Sequence, residues 1–479
     1  MSPITTADSS RTPPGPKGLH GLRLMRGLLA EPQTALDELN DRFGPVCMLG
    51  PPGLRLAVVG DPDALAELFA MSVDSFQWGF RGNVLRFVVG ARSIIVSDGD
   101  DHRRRRGSVM KAFSRRQLNG WIPLIVEHTD RTIERLIAGD DPNEGIELYE
   151  HCRSLVLGIV VRSIFGEALA AHTDKIGALF QPLQEQLEAP AVRQAPHPLP
   201  FTLRSKARAN RRQLCDLIDA QIAARRAGPR GEPDGVIQVL VDGGALSDAE
   251  IRDQAITLIG AGYHTTAASL AWMVARAALE PGVWQALGAE ADEVFGAWGD
   301  GAVQDETLLA RLELAGRVMR ETLRLHPAGV LAPRKAVVDV RLGAMVIPKG
   351  TIVAWSPYLA GRDPRVWPDP LRFDPGRFVD AGVGSRHLEH MAWAPFGGGA
   401  RACIGFGLAQ MELTLIIARL AQRLDITLLQ AAVPQPVGMV VNRPAGGVAV
   451  RVRSRHPRSD ASAGGSDEAA THPDEARHA

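Results

Sequence analysis

The chain has 479 residues, 45% hydrophobic and 23% charged, with 54 Lys+Arg against 54 Asp+Glu and therefore no formal net charge. That balance excludes a basic nucleic-acid binder and an acidic solvating chain, and it leaves ample material for a core. Cys47, Cys152, Cys215 and Cys403 stand far apart with no CxxC pair, which excludes a zinc ribbon and fits a reducing, cytoplasmic compartment.

No signal-peptide core opens the chain and no apolar run of about eighteen residues occurs, so neither a secretory leader nor a membrane anchor is expected. Residues 1–12 are polar and proline-broken, and 458–479 are rich in Ser, Asp, Glu, Gly and His; both are expected to be disordered. At about 150 residues per domain the length would allow roughly three domains. Yet no linker divides 13–457, which reads as one domain. Short β signals at Val46–Leu49 and Arg55–Val59 flank the turn Gly50-Pro51-Pro52-Gly53. After Asp61-Pro62 the period turns helical. The longest helical stretch runs from Ser247 to Leu279, with Ser247 as N-cap, Glu250 three residues on, and a stop at Glu280-Pro281-Gly282. Strand signals return at Val337–Ile347, Thr351–Ser356 and Gly446–Val452. The sum is mainly α with small β-sheets, one long helix being buried through the centre.

The most informative segment is Ala394-Pro395-Phe396-Gly397-Gly398-Gly399-Ala400-Arg401-Ala402-Cys403-Ile404-Gly405-Phe406-Gly407. Helical spacing over Leu408–Leu420 puts Cys403 just ahead of a helix. Partial positive charge there favours a thiolate, and the glycines let backbone N–H groups turn toward the sulfur while a flat ligand comes close. Such a sulfur suits axial binding of one metal ion. Taken alone, Cys403 is equally well a small buried hydrophobe. A dinucleotide loop would need GxGxxG after a strand, which this run does not supply.

The full pattern Phe396-x-x-Gly399-x-Arg401-x-Cys403-x-Gly405 resembles the haem-ligand loop of the cytochrome P450 family, the haem-thiolate monooxygenases. Glu321-Thr322-Leu323-Arg324 and Pro375-Gly376-Arg377-Phe378 are similar to the family's ExxR and Pro-x-Arg-Phe segments, which form a buried structural triad. The resemblance runs from about Pro13 to Pro457. It implies the haem-thiolate fold, with the long helix over haem b and Cys403 as axial thiolate. It also implies that His102 and Arg106, spaced i, i+4 in Asp98–Arg106, contact the propionates with Arg334 and Arg401, while Phe396 and Gly405 complete the cofactor loop. Arg103, Arg104 and Arg105 read as a solvated basic patch, or as part of a face where a small acidic electron carrier docks.

Within the long stretch lies Gly260-Ala261-Gly262-Tyr263-His264-Thr265-Thr266. Glycines in a helix interior are costly, and close packing of helices would account for them. In the family this segment opens a distortion at Gly262 where dioxygen sits, and Thr265 matches the threonine that steadies it. His264 stands where an acid is usual, as it does in the family's sterol demethylases. Histidine can relay protons at neutral pH; otherwise His264 is a helix residue bonded to a neighbour.

The activity so implied inserts one atom of O2 into a lipophilic small molecule. Electrons would come from a separate ferredoxin-type donor and its NAD(P)H-dependent reductase. A haem-thiolate isomerase, dehydratase or peroxide-driven enzyme stays open as an alternative, as does a non-catalytic haem-binding sensor. By family alignment the pocket walls are Phe76 to Phe87, Leu258 to Ala261, Val330 to Ala332 and the turn around Met439.

Overall fold

The computed structural model describes residues 11–80, 82–139, 145–189, 191–195, 197, 199–228, 235–296, 307–379 and 391–455. The long helix spans Asp248–Leu279 and is buried on nearly every side, as a helix running through a core must be. Its N-terminus is fixed as its sequence dictates: the Ser247 N–H donates to Glu250 Oε2 at 3.0 Å. The same carboxylate accepts from Arg104 and, at 2.9 Å, from Arg105 Nε, so it ties the helix Gly99–Lys111 to the central one. Arg105 is buried and also donates to Ser97 Oγ at 2.6 Å. Arg103 pairs with Asp100 on the surface. The expected basic patch holds for the exposed Arg103 and Arg104 and is corrected for Arg105. All three arginines are ion-paired, and Arg105 belongs to the core.

The central helix packs most extensively on Leu148–Phe165. The stretch Leu148–Glu188 is long and apolar enough to cross a membrane by composition, but 67% of its most apolar window is buried inside the protein. Its all-round hydrophobicity is that of a core helix.

A five-stranded sheet flanks the helices, in the spatial order Val46–Leu49, Leu56–Val59, Ile352–Trp355, Ala332–Ala336, Phe76–Gln77. Leu56–Val59 and Ile352–Trp355 run parallel and the other pairs antiparallel. The strand Ala332–Ala336, which carries Arg334, and the short Phe76–Gln77 were not legible in the sequence. The signal over Val337–Ile347 resolves into a hairpin, Val340–Leu342 against Met345–Ile347, turning at Gly343 with φ 55°. Ala449–Ser454 lies between Ile146–Glu147 and Leu424–Leu428.

Of the terminal segments expected to be disordered, 1–10 and 458–479 lie outside the described residues. Arg11 does not behave as expected: its N–H donates to the Ala344 carbonyl at 3.1 Å, bridging to the hairpin.

The helix Glu313–Leu325 holds Glu321 and Arg324, both buried. Arg324 donates to both Glu321 oxygens at 2.7 and 2.8 Å, and to the carbonyls of Gly361, Pro370 and Arg372 at 2.6 to 3.0 Å. Arg377 stands 3.5 Å from Glu321, completing the expected triad.

Candidate active site

The cysteine loop is closed by its own backbone. The Cys403 N–H donates to the Phe396 carbonyl at 2.9 Å, while Gly397 and Gly399 hold φ 69° and 64°. At Gly399 an added Cβ would also come within 2.5 Å of the Phe69 carbonyl oxygen. Conformation and space both demand glycine there. The helix Phe406–Arg423 follows, with Gly405 at its N-cap.

Cys403 has open surface although protein surrounds it, because that surface faces an interior cavity. Burial is the largest influence on its thiol and pushes the pKa up; the Gly405 N–H and the Arg106 charge pull it back. The lowered pKa expected at a helix start is thus outweighed by desolvation in the protein alone. Metal binding to the sulfur resolves the conflict, because coordination deprotonates a thiol outright.

The cavity measures about 410 Å³. Phe396, Arg401, Cys403, Gly405 and Leu408 border it from the cysteine side, and Ala261, Gly262, Thr265 and Thr266 from the central helix. Val160, Ile164, Val236, Leu258, Leu331 and Val440 add apolar wall. None of the described residues of the expected wall from Phe76 to Phe87 borders this cavity. Phe76 instead lies 4.8 Å from the Arg334 guanidinium, and Phe87 lies 4.1 Å from that of Arg204. Val440 borders the cavity where the turn around Met439 was expected.

The structure brings the four proposed propionate contacts into one neighbourhood. Arg401 lies over the Trp78 ring at 3.9 Å and Arg334 lies 5.7 Å from the same ring. Burial, followed by the charges of Arg401, Arg106 and Arg103, holds the His102 imidazole down at about 3. Burial and then Arg401 lower Arg334 to about 10. Arg106 donates to the Ala402 carbonyl at 2.8 Å, and Arg401 to the Ser97 carbonyl at 2.7 Å. Asp98 stands 3.6 Å from Arg401 while accepting from the backbone N–H groups of Trp78 and Gly79. Arg334, 6% exposed, has aromatic rings around it but no acid partner among the described residues.

On the central helix, the Thr265 hydroxyl donates back to the Ala261 carbonyl. Gly260 is explained by packing, since an added Cβ would lie 2.5 Å from Phe180. Gly262 borders the cavity and an added Cβ would touch Val160 only at 3.4 Å, so packing does not require it. His264 is buried and does not border this cavity. Its ring centroid lies 4.0 Å from that of Tyr263 and 6.1 Å from that of Phe180, beside a polar cleft that includes Arg153, Gln181, Glu185 and Arg443. The reason is geometric: one residue along a helix turns a side chain about 100°, so Thr265 in the cavity carries His264 off to the side. Burial, with Arg153 and Arg443, holds its imidazole at about 3.

Sequence reasoning missed Trp78 under Arg401, gave Asp98 no role of its own, and missed Glu412 on the cavity wall. An aromatic ring at no fixed offset from a motif gives no local signal. Glu412 alone had one, an acid within the apolar face of the cysteine helix.

A haem fits these residues. Two propionates would answer a cation cluster that has one acid, and in particular the buried Arg334, whose unpaired charge is otherwise costly. The lone sulfur faces a cavity closed on its other side by the central helix.

Comparison with known proteins agrees. The family model "Cytochrome P450" matches residues 13–447. Putative cytochrome P450 139 of Mycobacterium bovis is 32% identical over 431 residues, covering 86% of this chain and 96% of the relative. Cyclooctatin synthase of Streptomyces melanosporofaciens is 32% identical over 342 residues, covering 69% and 72%. The solved structure of retinoic-acid-bound cyanobacterial CYP120A1 superposes with a TM-score of 0.81 at 24% identity, covering 93% of this chain and all of that one, a likeness of fold. The cysteine loop, the buried ExxR triad and the near full-length match place this chain in the cytochrome P450 family of haem-thiolate monooxygenases.

Proposed function

We propose that this monooxygenase inserts one oxygen atom into a lipophilic small molecule held between Cys403 and Thr265, with electrons from a separate ferredoxin-type donor and its reductase. The observation that carries the reading is the single cavity that both residues border, walled by Leu258, Leu331, Val440 and other apolar side chains. Haem on a thiolate supplies the activation of O2, one atom entering the substrate and the other leaving as water.

The chain's own residues divide the remaining work. Cys403 supplies the thiolate, and the loop from Phe396 to Gly405 fixes the sulfur's direction through the 2.9 Å bond to the Phe396 carbonyl. His102, Arg106, Arg334 and Arg401 hold the propionates. Thr265 positions the oxygen side; its hydroxyl can leave the Ala261 carbonyl to bond a ligand in the cavity. The apolar walls orient substrate by shape and exclude water. His264, on the other side of the helix, meets the polar cleft rather than the reacting atoms.

Isotope-labelled O2 tests the reading once a substrate is found by its shift of the haem absorbance toward high spin. With ferredoxin, reductase and NADPH, label is expected in the product, with NADPH, O2 and product in equal amounts. Product formed without O2 or NADPH consumption would instead mark a haem-thiolate isomerase or dehydratase.

A further inference from the structure

The polar cleft on the far side of the central helix measures about 580 Å³, and no residue borders both it and the cysteine cavity. Its walls come from the helices Leu148–Phe165, Thr173–Glu188 and Asp248–Leu279 and from the short strand Arg443–Pro444.

Most of the charged groups in the cleft are committed to neighbours. Glu147 accepts from the backbone N–H groups of Tyr149, Glu150 and Val448 at 2.8 to 2.9 Å. Arg153 donates to both Glu150 oxygens at 2.6 and 2.8 Å, to Gln181 at 2.5 Å and to the Tyr263 hydroxyl at 3.2 Å. The exposed Glu185 accepts from Gln181 at 3.1 Å. Glu188 accepts from the Val441 N–H at 3.1 Å and from Gln184 at 3.4 Å.

Three groups are left over, and each can donate a hydrogen bond. His264 is 3% exposed, and its Nε2 has no hydrogen-bond partner among the described residues. The phenol of the buried Tyr149 and the half-buried guanidinium of Arg443 form no hydrogen bond or ion pair among the described residues either. Arg443 acts through space on both Tyr149 and His264, which puts the three at one end of the cleft. Arg153 and Arg443 are the charges that act on His264, and at Tyr149 the same two outweigh Glu150. That end is therefore positive, although four glutamates border the cleft as a whole.

Water satisfies such donors but leaves the charge of Arg443 uncompensated. Glu188 feels that charge, yet its oxygen is turned to Val441. A carboxylate meets both demands. It is planar, so it takes paired N–H bonds from a guanidinium, and its remaining lone pairs accept from a phenol and an imidazole N–H. It also brings the single negative charge that one free cation offsets, whereas a phosphate dianion would leave a charge over.

We infer that this cleft is a second ligand site, which takes a small monocarboxylate on Arg443, Tyr149 and His264. Nothing in the site depends on the chemistry at Cys403. It gives His264 a task on the side of the helix to which its ring is turned.

The probe is fluorolactate, followed by fluorine NMR on the haem-loaded enzyme in its diamagnetic, reduced and CO-bound form. The parent should broaden the signal saturably, with a dissociation constant on the order of 1–10 mM for a few charge-assisted hydrogen bonds. Lactate should displace the probe, the uncharged lactamide should not, and inorganic phosphate should compete more weakly than lactate. Arg443→Gln should weaken binding about ten-fold or more, and Tyr149→Phe or His264→Phe about three- to ten-fold. Arg26→Gln, which removes an exposed cation on another helix, should bind like the parent. Absence of saturable broadening, equal displacement by lactamide, or parent-like binding in Arg443→Gln overturns the inference. Phosphate competing better than lactate overturns the assignment to a carboxylate. Should Arg443→Gln fail to load haem, Tyr149→Phe and His264→Phe decide, and parent-like binding in both overturns the site.

Discussion

Two buried arginines, Arg324 and Arg334, have opposite surroundings. Arg324 spends its donors on Glu321 and three backbone carbonyls, every one within 3.0 Å. Arg334 is almost as buried, yet among the described residues it meets the rings of Phe69, Phe76 and Trp78 and no acid. A guanidinium that is fully satisfied within the protein serves the fold. One buried without an acceptor is held ready for an anion from outside, since proteins do not keep such charges without return. The contrast separates structural cations from ligand-binding ones, although in the sequence each is simply an arginine, one within a helix and one just past it.

The largest effect expected from this contrast lies at the satisfied site. Arg324→Ala takes from the buried Glu321 its closest partner, leaving it Arg377 at 3.5 Å and the Asp374 N–H, which should cost about 3–5 kcal/mol, read by urea unfolding of the haem-free protein, and haem uptake should fail with it. A change under about 1 kcal/mol would place Arg324 with ordinary surface pairs.

Arg334→Leu should do the reverse. The haem-free protein should be as stable as the parent or more so, because an uncompensated charge has gone. Haem should be lost more readily, by about ten- to hundred-fold in affinity for one charge-assisted hydrogen bond. Haem transfer to an acceptor protein measures this. Unaltered haem affinity would break the comparison.

The smallest effect concerns pH. His102 is held neutral by burial and by Arg401, Arg106 and Arg103, its folded pKa near 3 lying below the ordinary 6.5. Between these values the unfolded chain binds the extra proton, so the haem-free protein loses stability at this site as pH falls from about 6.5 toward 3. His102→Gln should flatten that part of the pH–stability curve. Bound haem should do likewise in the parent, because propionates reverse the field of the cations. An unchanged slope in the variant would remove His102 from the cluster.

What could be read from the sequence follows the same division. The cysteine loop was legible because its demands are local: Gly399 needs positive φ and open space, and Cys403 must precede a helix. The capping box at Ser247 and the Glu321–Arg324 pair were legible because helical spacing fixes them. Spacing, however, says which residues share a face and not what that face meets. Arg105 therefore read as solvent-facing although Glu250 draws it into the core. His264 read as a neighbour of the reacting oxygen although it turns to Tyr263 and Phe180. Trp78, which packs on Arg401, follows a short strand whose pairing with Ala332–Ala336 no local pattern announces.

The central claim is that Cys403, alone among the four cysteines, carries the haem as a thiolate. Its most direct measurement is the absorption spectrum of the reduced, CO-treated protein beside variants in which each cysteine is replaced in turn. The parent and the Cys47, Cys152 and Cys215 variants should show the strongly red-shifted band of thiolate-ligated haem, and Cys403→Ala should lack it. Persistence of that band in Cys403→Ala would contradict the account.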